Sequence, residues 1–237
     1  IGQRFGYKTD GYYDTLEELN SRPYFQDAAN QVTLGDIKYL DLDGDGIINY
    51  KDMAPIGYPN RPQFQFGGKI GFSYKGFDLS MVLSGTAQGT YYVERIVSPF
   101  YKRAGNAFRW QYEGRWTPEK VANGEKITYP RAVYDATEDH YNFGPKSEQW
   151  ALSSDHLRLK NIEIGYSFSP DSKFMKKARI SGLRIYVNAN NVFTMFDKMR
   201  DYGIDPETQD NIGGDEGPIS YVFPLTRTTN IGVNIQF

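Results

Sequence analysis

Five segments of the chain alternate apolar and polar residues with a period of two, which is the pattern of β-strands whose faces meet different surroundings. Between the first two segments, the sequence YKGF at residues 74–77 places a glycine where a tight turn is needed. We therefore predict a β-hairpin there and an all-β, antiparallel fold. The segments are FQFGGKIGFSYK from residue 64, FDLSMVLSG from 77, NIEIGYSF from 161, LRIYVNANNVF from 183 and TTNIGVNIQF from 228.

Two further patterns favour a transmembrane barrel over a soluble β-sandwich. Aromatic residues cluster near the strand ends, as they do in the girdles of a membrane barrel. Short connections also alternate with long ones, which span residues 92–155 and 197–225. A transmembrane strand needs only about 9–11 residues, so the lack of a long apolar run does not exclude a barrel. Because five strands are too few to close one, we expect the chain to be part of a larger protein.

Composition and charge narrow the range of functions. The 237 residues carry a net charge of −2 with no basic run, so no electrostatic argument supports nucleic-acid binding. The chain has no cysteine, which excludes disulfides and thiolate metal sites. His140 and His156 lie in no metal-binding or triad pattern, and we expect His156 to be a polar residue at a strand end. Because no phosphate loop or nucleophile elbow occurs either, we predict that the chain is not an enzyme.

An acidic segment, DLDGDGIINYKD at residues 41–52, has the ligand spacing of an EF-hand-type calcium loop. Gly46 stands at position six, where such a loop turns sharply, and Ile48 is expected to pack inward. Position twelve is aspartate rather than glutamate and the flanking sequences look extended, so we expect weak Ca²⁺ binding, with a dissociation constant of about 10⁻⁴–10⁻³ M. The alternative is a carboxylate turn stabilised by water alone. The predicted ligands are Asp41, Asp43, Asp45, the Ile47 carbonyl, Asn49 and Asp52.

The long segment at residues 92–155 is rich in aromatic side chains. We expect them to pack the long segment against itself, as a small core of its own, or against the neighbouring barrel wall, and the alternative is that they stack on sugars or on a partner protein. The sequence RWTPE predicts a helix capped by Thr117, and Asn123–Gly124 predicts a hairpin turn. The aromatic residues are Trp110, Trp116, Trp150, Tyr92, Tyr101, Tyr112, Tyr129 and Tyr141.

Eight blocks of the sequence carry a resemblance to a known family. The blocks are GYKTDGYYDTLEEL, GDIKYLDLDGDGIINYKDMAPIGYPNRPQFQFGGKIGFSYKGFDLSMVLSG, RWTPE, YPRA, LRLKNIEIGYSFS, LRIYVNANNVFTM, GIDPET and FPLTRTTNIGVNIQF. In this order and at compatible spacing, they resemble the C-terminal part of the SusC/RagA-type TonB-dependent outer-membrane transporters of Bacteroidetes. Each block alone is a weak signal, whereas eight in the same order are specific, and together they run through nearly the whole chain.

The resemblance implies that residues 61–237 contribute the C-terminal antiparallel strands of a 22-stranded transmembrane β-barrel with long extracellular loops, while residues 1–60 form an extracellular segment. It implies a multi-pass protein of the cell outer membrane that imports glycans, oligopeptides or similar nutrients. The implied partners are the plug and earlier barrel strands, a SusD-like surface lipoprotein, the TonB–ExbB–ExbD motor and outer-membrane lipid. The alternative function is that of a secreted, calcium-binding β-sandwich that binds carbohydrate.

The barrel hypothesis assigns the two phases of each strand to lipid and to the lumen. By resemblance, Phe237 is the membrane-assembly signal read by the barrel-insertion machinery, and we expect its ring at the periplasmic rim. The residues expected to face lipid are Ile162, Ile164, Ile185, Val187, Ile231, Val233 and Ile235, and those expected to face the lumen are Glu163, Arg184, Asn188 and Asn234.

Overall fold

The computed structural model describes residues 2–26, 32–92, 108–133, 141–142, 146–207 and 225–237. These residues form two compact units. The first unit comprises the described residues of 1–61, 89–153 and 199–222, and the second those of 62–88, 154–198 and 223–237. The long connection that follows residue 88 therefore belongs to the same unit as the N-terminal segment. Tyr101 and His140, both named above, lie outside the described residues.

Strands dominate the described residues, which confirms the predicted all-β class. The strands are β1 (Arg4–Tyr7), β2 (Thr9–Tyr12), β3 (Tyr24–Phe25), β4 (Ile37–Tyr39), β5 (Ile47–Ile48), β6 (Met53–Ile56), β7 (Phe64–Tyr74), β8 (Phe77–Ala87), β9 (Thr90–Tyr92), β10 (Ala151–Ser153), β11 (His156–Ser167), β12 (Gly182–Met195) and β13 (Thr228–Gln236).

The helices are short. They are α1 (Leu16–Asn20), α2 (Arg109–Gly114), α3 (Pro118–Ala122) and α4 (Lys173–Ala178), with 3₁₀ turns at Tyr50–Asp52, Glu148–Trp150 and Arg200–Tyr202. Within the described parts of the chain, no helix has both the length and the apolar character needed to cross a membrane.

The second unit is one antiparallel sheet in which strand order follows chain order: β7, β8, β11, β12 and β13. Lys75 and Gly76 join the first two strands, and their φ angles of 47° and 90° are both positive, as a type I′ turn requires. The five strands predicted from alternation and the predicted hairpin are thus confirmed. His156 begins β11 and is buried, which confirms its predicted place at a strand end.

The register of this sheet lines up the apolar phases of all five strands in continuous rows. Ile164 pairs with Leu79 on one side and with Val187 on the other. The row continues to Phe72 and Ile231 on the two edge strands. Because alternate residues of a strand share a face, the neighbouring apolar row lies on the same side of the sheet. That row consists of Tyr74, Phe77, Tyr166, Ile185 and Val233.

The first unit is built around aromatic side chains rather than around a large sheet. The rings of Tyr7, Phe25, Tyr39 and Tyr141 pack with centroids 5.1–5.7 Å apart in edge-to-face and tilted pairs. Trp150 is fully buried in the same cluster. Trp116, Tyr92 and Tyr129 are buried too, and Trp110 is partly buried, whereas Tyr112 is exposed. Apart from Tyr112, the described aromatic residues of the long segment are thus buried or partly buried. Tyr129, Tyr141 and Trp150 share one core with the N-terminal segment, so the long segment does not form a core of its own.

A buried ion pair ties distant parts of the first unit together. The carboxylate of Asp36 is completely buried, and its Oδ1 atom lies 2.7 Å from Nε of Arg131. The same carboxylate accepts hydrogen bonds from the side chain of Asn142 at 2.8 Å and from the N–H of Thr33 at 2.8 Å. The backbone carbonyl of Asn142 in turn accepts a hydrogen bond from the indole N–H of Trp150. One carboxylate therefore holds three chain segments and, through Asn142, the central tryptophan.

Helix α3 confirms the predicted helix start at Thr117 and shows that the turn predicted after it is of another kind. The side chain of Thr117 accepts the N–H of Lys120, as expected for a helix N-cap. The predicted hairpin turn at Asn123–Gly124 is wrong, because Gly124 ends α3 with a φ of 66° and Glu125 donates its N–H back to the Lys120 carbonyl. Positive φ suits a helix end as well as a hairpin turn, so the Asn-Gly pair alone does not separate the two.

Replacing Asp36 by alanine should destabilise the first unit strongly, because Arg131 and Asn142 would lose their buried acceptor. We expect a loss of about 3 kcal/mol in unfolding free energy, measured by urea denaturation followed by tryptophan fluorescence. The control is Arg109→Ala, which breaks the exposed Arg109–Glu113 pair and should leave the unfolding free energy nearly unchanged, because solvent screens that pair. Equal effects of the two substitutions would contradict the central role of Asp36.

Candidate functional site

The acidic loop lies between β4 and β6, and three of its carboxylates converge. Oxygen atoms of Asp41, Asp43 and Asp45 lie within 4.8 Å of one another. The turn that brings them together passes through Gly44 and Gly46, whose φ angles of 75° and 84° are disfavoured for other residues. The strands on both sides confirm the extended flanks predicted from sequence.

Backbone N–H groups of the loop donate to the converging carboxylates. Asp41 accepts from Gly44 at 2.7 Å and from Gly46 at 2.8 Å, one bond to each oxygen. Asp45 accepts from Ile47 at 2.8 Å. Each carboxylate oxygen keeps a second lone pair, so these bonds shape the loop and leave acceptor capacity on its inner side. Hard oxygen donors in this arrangement suit Ca²⁺.

Asp52 occupies a different environment from the other predicted ligands. Its side chain is completely buried, one oxygen accepts the N–H of Leu42 at 2.8 Å, and the other accepts the N–H of Asn49 at 2.8 Å. Burial raises the pKa of this carboxyl group, but the backbone N–H groups outweigh it and lower the pKa below its ordinary value. The structure thus uses Asp52 to fasten the two ends of the loop to each other.

The remaining predicted ligands lie beside Asp52. The side-chain amide of Asn49 donates to the Ile47 carbonyl at 3.2 Å, so both groups are near each other on the C-terminal side of the loop. Ile48 is completely buried and pairs with the short strand β3, as its predicted inward packing requires. The loop is therefore anchored to the aromatic core by Ile48, and it exposes the side chains of Asp43 and Asp45 at the surface.

A cavity of about 500 Å³ opens beside the acidic loop in the first unit. Its charged rim includes an ion pair between Lys38 and Glu18, 2.9 Å apart. The hydrogen bond from Lys38 lowers the pKa of Glu18, and Glu18 raises the pKa of Lys38. Sequence reasoning missed this cavity, because its walls come from separate segments that the pairing of β2 with β4 and of β3 with β5 brings together. Its lining includes Tyr13, Arg22, Pro23, Leu40, Asp41 and Gly46.

In the second unit, the polar face of the sheet carries an ionic cluster. The guanidinium of Arg184 on β12 lies 2.5 Å from the carboxylate of Asp78 on β8 and 2.7 Å from that of Glu163 on β11. Its side chain extends across Gly165, where an added Cβ atom would lie 2.5 Å from the guanidinium. The glycine thus creates the space in which one arginine reaches two carboxylates.

The same face holds a second close contact with a glycine. Tyr186 lies directly between Gly165 and Gly232 in the register, and its ring would lie 2.3 Å from a Cβ atom added to Gly232. The Arg184 guanidinium is 4.9 Å from the centre of the Tyr186 ring. Polar and aromatic side chains therefore lie flat on this face.

The opposite face of the sheet is apolar and exposed. Ile231 exposes 77% of its surface, Ile164 54% and Val233 52%. The predicted lipid-facing and lumen-facing sets fall on these two opposite faces of the sheet, as their pairing requires. A soluble monomer rarely exposes so many adjacent apolar side chains, so this face is expected to have an apolar environment.

The chain is similar to TonB-dependent receptors. No protein-family model matches it. TonB-dependent receptor P26 of Formosa agariphila is 27% identical over 98% of this chain. TonB-dependent receptor P3 of the same organism is 27% identical over 100% of this chain. In both cases the chain covers only 22% of the length of the receptor that it matches.

Solved structures of the RagAB peptide importer share the fold. The open-open state matches 99% of the chain with a TM-score of 0.60 at 18% identity, and the closed-closed state matches 98% with a TM-score of 0.54. In each case the chain covers 22% of the matched chain. The predicted resemblance to part of a SusC/RagA-type TonB-dependent transporter is confirmed. These similar proteins are receptors and importers rather than enzymes.

Replacing Asp52 by asparagine should open the acidic loop, because an amide cannot accept backbone N–H groups on both sides. We expect a loss of about 1–3 kcal/mol and faster hydrogen exchange at the amides of Leu42 and Asn49, measured by NMR. The control Asp10→Asn removes an exposed carboxylate and should leave exchange unchanged.

The contribution of Asp52 to the unfolding free energy should fall as the pH is lowered. Because its folded pKa is lowered, the stabilisation is fully present above the unfolded value of about 4 and is lost as the pH falls through the lower folded value. The difference in unfolding free energy between the native protein and Asp52→Asn should therefore shrink below about pH 4. A difference that stays constant down to pH 2 would contradict this role.

Proposed function

We propose that this chain forms the C-terminal part of the β-barrel of a TonB-dependent transporter in the outer membrane. The observation that carries the proposal is the two-faced sheet, in which exposed apolar rows cross all five strands and a polar face with an ionic cluster lies opposite. Lipid on one side and a water-filled lumen on the other provide suitable surroundings for both faces. The similarity to TonB-dependent receptors supports the same assignment.

The two edge strands of the sheet indicate that further strands complete it. Among the described residues, β7 and β13 each pair with a neighbour on one side only. An edge strand in hydrocarbon would leave backbone N–H and C=O groups without partners, at several kcal/mol each. The two edges therefore need further strands, which in our proposal come from the rest of the transporter.

A β-sandwich, the alternative function class, would need a second sheet over the apolar face. Among the described residues that face stays open to solvent, with Phe72 64% exposed and Ile185 41% exposed. The small sheets of the first unit each contain two strands and gather around their own aromatic core. The barrel therefore accounts better for the exposed rows than the sandwich does.

The connections of the sheet suggest its orientation. The turn after β7 and the connection from β11 to β12 are short and lie at one end of the sheet, whereas the connections after β8 and β12 are long. Outer-membrane barrels have short periplasmic turns and longer extracellular loops. We therefore assign the short turns and Phe237 to the periplasmic side and the long connections, with the acidic loop, to the extracellular side. The role of Phe237 as an assembly signal stays a prediction.

The substrate and partners follow by similarity. RagAB is a peptide importer, and we propose that the transporter containing this chain imports oligopeptides, glycans or nutrients of comparable size. We further propose that it works with a SusD-like surface lipoprotein and takes energy from TonB–ExbB–ExbD through its plug. An uptake assay in cells that lack the full-length gene would test the substrate, with labelled peptides and oligosaccharides compared directly.

We also propose that the acidic loop binds one Ca²⁺ ion. Asp41, Asp43 and Asp45 would supply carboxylate oxygens, and the spacing of Ile47, Asn49 and Asp52 matches the remaining positions of a calcium loop. Clustering of three carboxylates without a cation raises their mutual repulsion, which a bound ion would relieve.

The barrel assignment predicts opposite results for two neighbouring substitutions in β13. Val233→Arg places a charge on the apolar face and should cost about 2–4 kcal/mol if that face meets lipid, whereas Asn234→Arg on the polar face should be tolerated. The measurement is the amount of each full-length variant in the outer-membrane fraction relative to its total synthesis. Normal membrane levels of Val233→Arg would overturn the assignment of this face to lipid.

Calcium binding predicts saturable heat in a calorimetric titration, with a dissociation constant of about 10⁻⁴–10⁻³ M. Asp43→Asn removes one charge with little change of shape and should weaken binding roughly tenfold or more. Glu17→Gln, an exposed change on α1, is the matched control and should bind like the native protein. The proposal fails if millimolar Ca²⁺ gives no heat, or if Asp43→Asn binds equally well.

A further inference from the structure

One end of the five-stranded sheet carries a concentration of positive charge. This end holds the two-residue turn after β7 and the segment 168–181 that joins β11 to β12. The N–H of Ser167 donates to the Gly76 carbonyl at 2.8 Å, so the two connections are adjacent. They contribute five exposed cations against one carboxylate, that of Asp171, which lies 3.0 Å from Nζ of Lys176 and leaves the other four cations in excess. We name the cations the basic rim: Lys75, Lys173, Lys176, Lys177 and Arg179.

Exposed aromatic side chains lie next to the basic rim. Phe174 on α4 exposes 62% of its surface, and Tyr74 and Phe77 beside the turn expose 58% and 59%. Phe77 packs on Tyr166 with ring centroids 4.6 Å apart, which joins the rim to the apolar face of the sheet. The surface therefore changes from apolar to aromatic to cationic along the strand direction, as expected where a protein passes from hydrocarbon to lipid headgroups.

Two of the cations occupy backbone positions that do not favour them. Lys75 has a φ of 47° in the two-residue turn, where asparagine or glycine fits with less strain. Arg179 has a φ of 57° at the C-terminal end of α4, the position where helices most often have glycine. Lys176 and Lys177, in the last turn of α4, interact favourably with the negative end of the helix dipole. This effect explains neither Lys75 nor an arginine in the left-handed region.

We propose that the basic rim binds the phosphate groups of anionic phospholipids in the adjoining leaflet of the membrane. The inference rests on the proposed function, since it needs the apolar face to meet lipid. Several observations favour a lipid surface over a soluble anion or a nucleic acid. The cations lie along an edge rather than around a cavity, and the same edge continues into exposed aromatic and apolar side chains. Basic residues at this depth attract anionic headgroups electrostatically.

The backbone geometry allows an unusually clean test. Lys75→Asn and Arg179→Gly each remove a charge and place a residue that the backbone prefers, so the double variant should fold at least as well as the native protein. Lys126→Gln, an exposed change in the other unit, is the control. The full-length protein in neutral detergent would be mixed with dioleoylphosphatidylglycerol or with dioleoylphosphatidylcholine, and bound lipids would be counted by native mass spectrometry.

The native protein and Lys126→Gln should bind phosphatidylglycerol more tightly than phosphatidylcholine. Each charge removed from the basic rim should weaken phosphatidylglycerol binding roughly fivefold. Phosphatidylcholine binding should stay unchanged, and the melting temperature should be equal to that of the native protein or higher. Equal phosphatidylglycerol binding by the native protein and the double variant would overturn the inference while leaving the barrel intact. If the protein is absent from the outer-membrane fraction and binds neither lipid, the proposed function fails as well.

Discussion

The register between β11 and its two neighbours is the constraint on which the rest of the sheet depends. Pairing of Ile164 with Leu79 and Val187 fixes which residues share a face, and the edge strands follow from it. A slip by one residue would move every apolar side chain of a strand to the polar face and would separate Arg184 from its two carboxylates. The exposed rows and the ionic cluster are thus two results of one hydrogen-bonding pattern.

Local patterns in the sequence were sufficient to predict the five strands of this sheet and the hairpin between the first two. Period-two alternation gave its strands, and the Lys75–Gly76 pair gave its hairpin, because both signals act between residues close along the chain. The first unit was less predictable. Its core depends on Asp36 meeting Arg131 and Asn142, about a hundred residues later, and no local pattern announces such a contact.

The acidic loop was predicted in part. The spacing of its carboxylates indicated that Asp41, Asp43 and Asp45 converge, since alternate residues of a tight loop point inward. It did not indicate that Asp52 would be buried and used by the Leu42 and Asn49 amides, because spacing describes ligand geometry and not competing backbone donors. The error at Asn123–Gly124 has a similar origin: one dipeptide fits two kinds of chain reversal.

The paired glycines around Tyr186 have a consequence for the bore of a barrel. Because Gly165 and Gly232 have no side chains, the Tyr186 ring and the Arg184 side chain can lie against the backbone instead of standing upright on the sheet. If the sheet forms the wall of the proposed barrel, only these flattened side chains would cover the inner side of the wall at this height. Bulkier residues at the two glycines would lift both side chains towards the axis and narrow the passage, even though no residue would be added to the lumen itself.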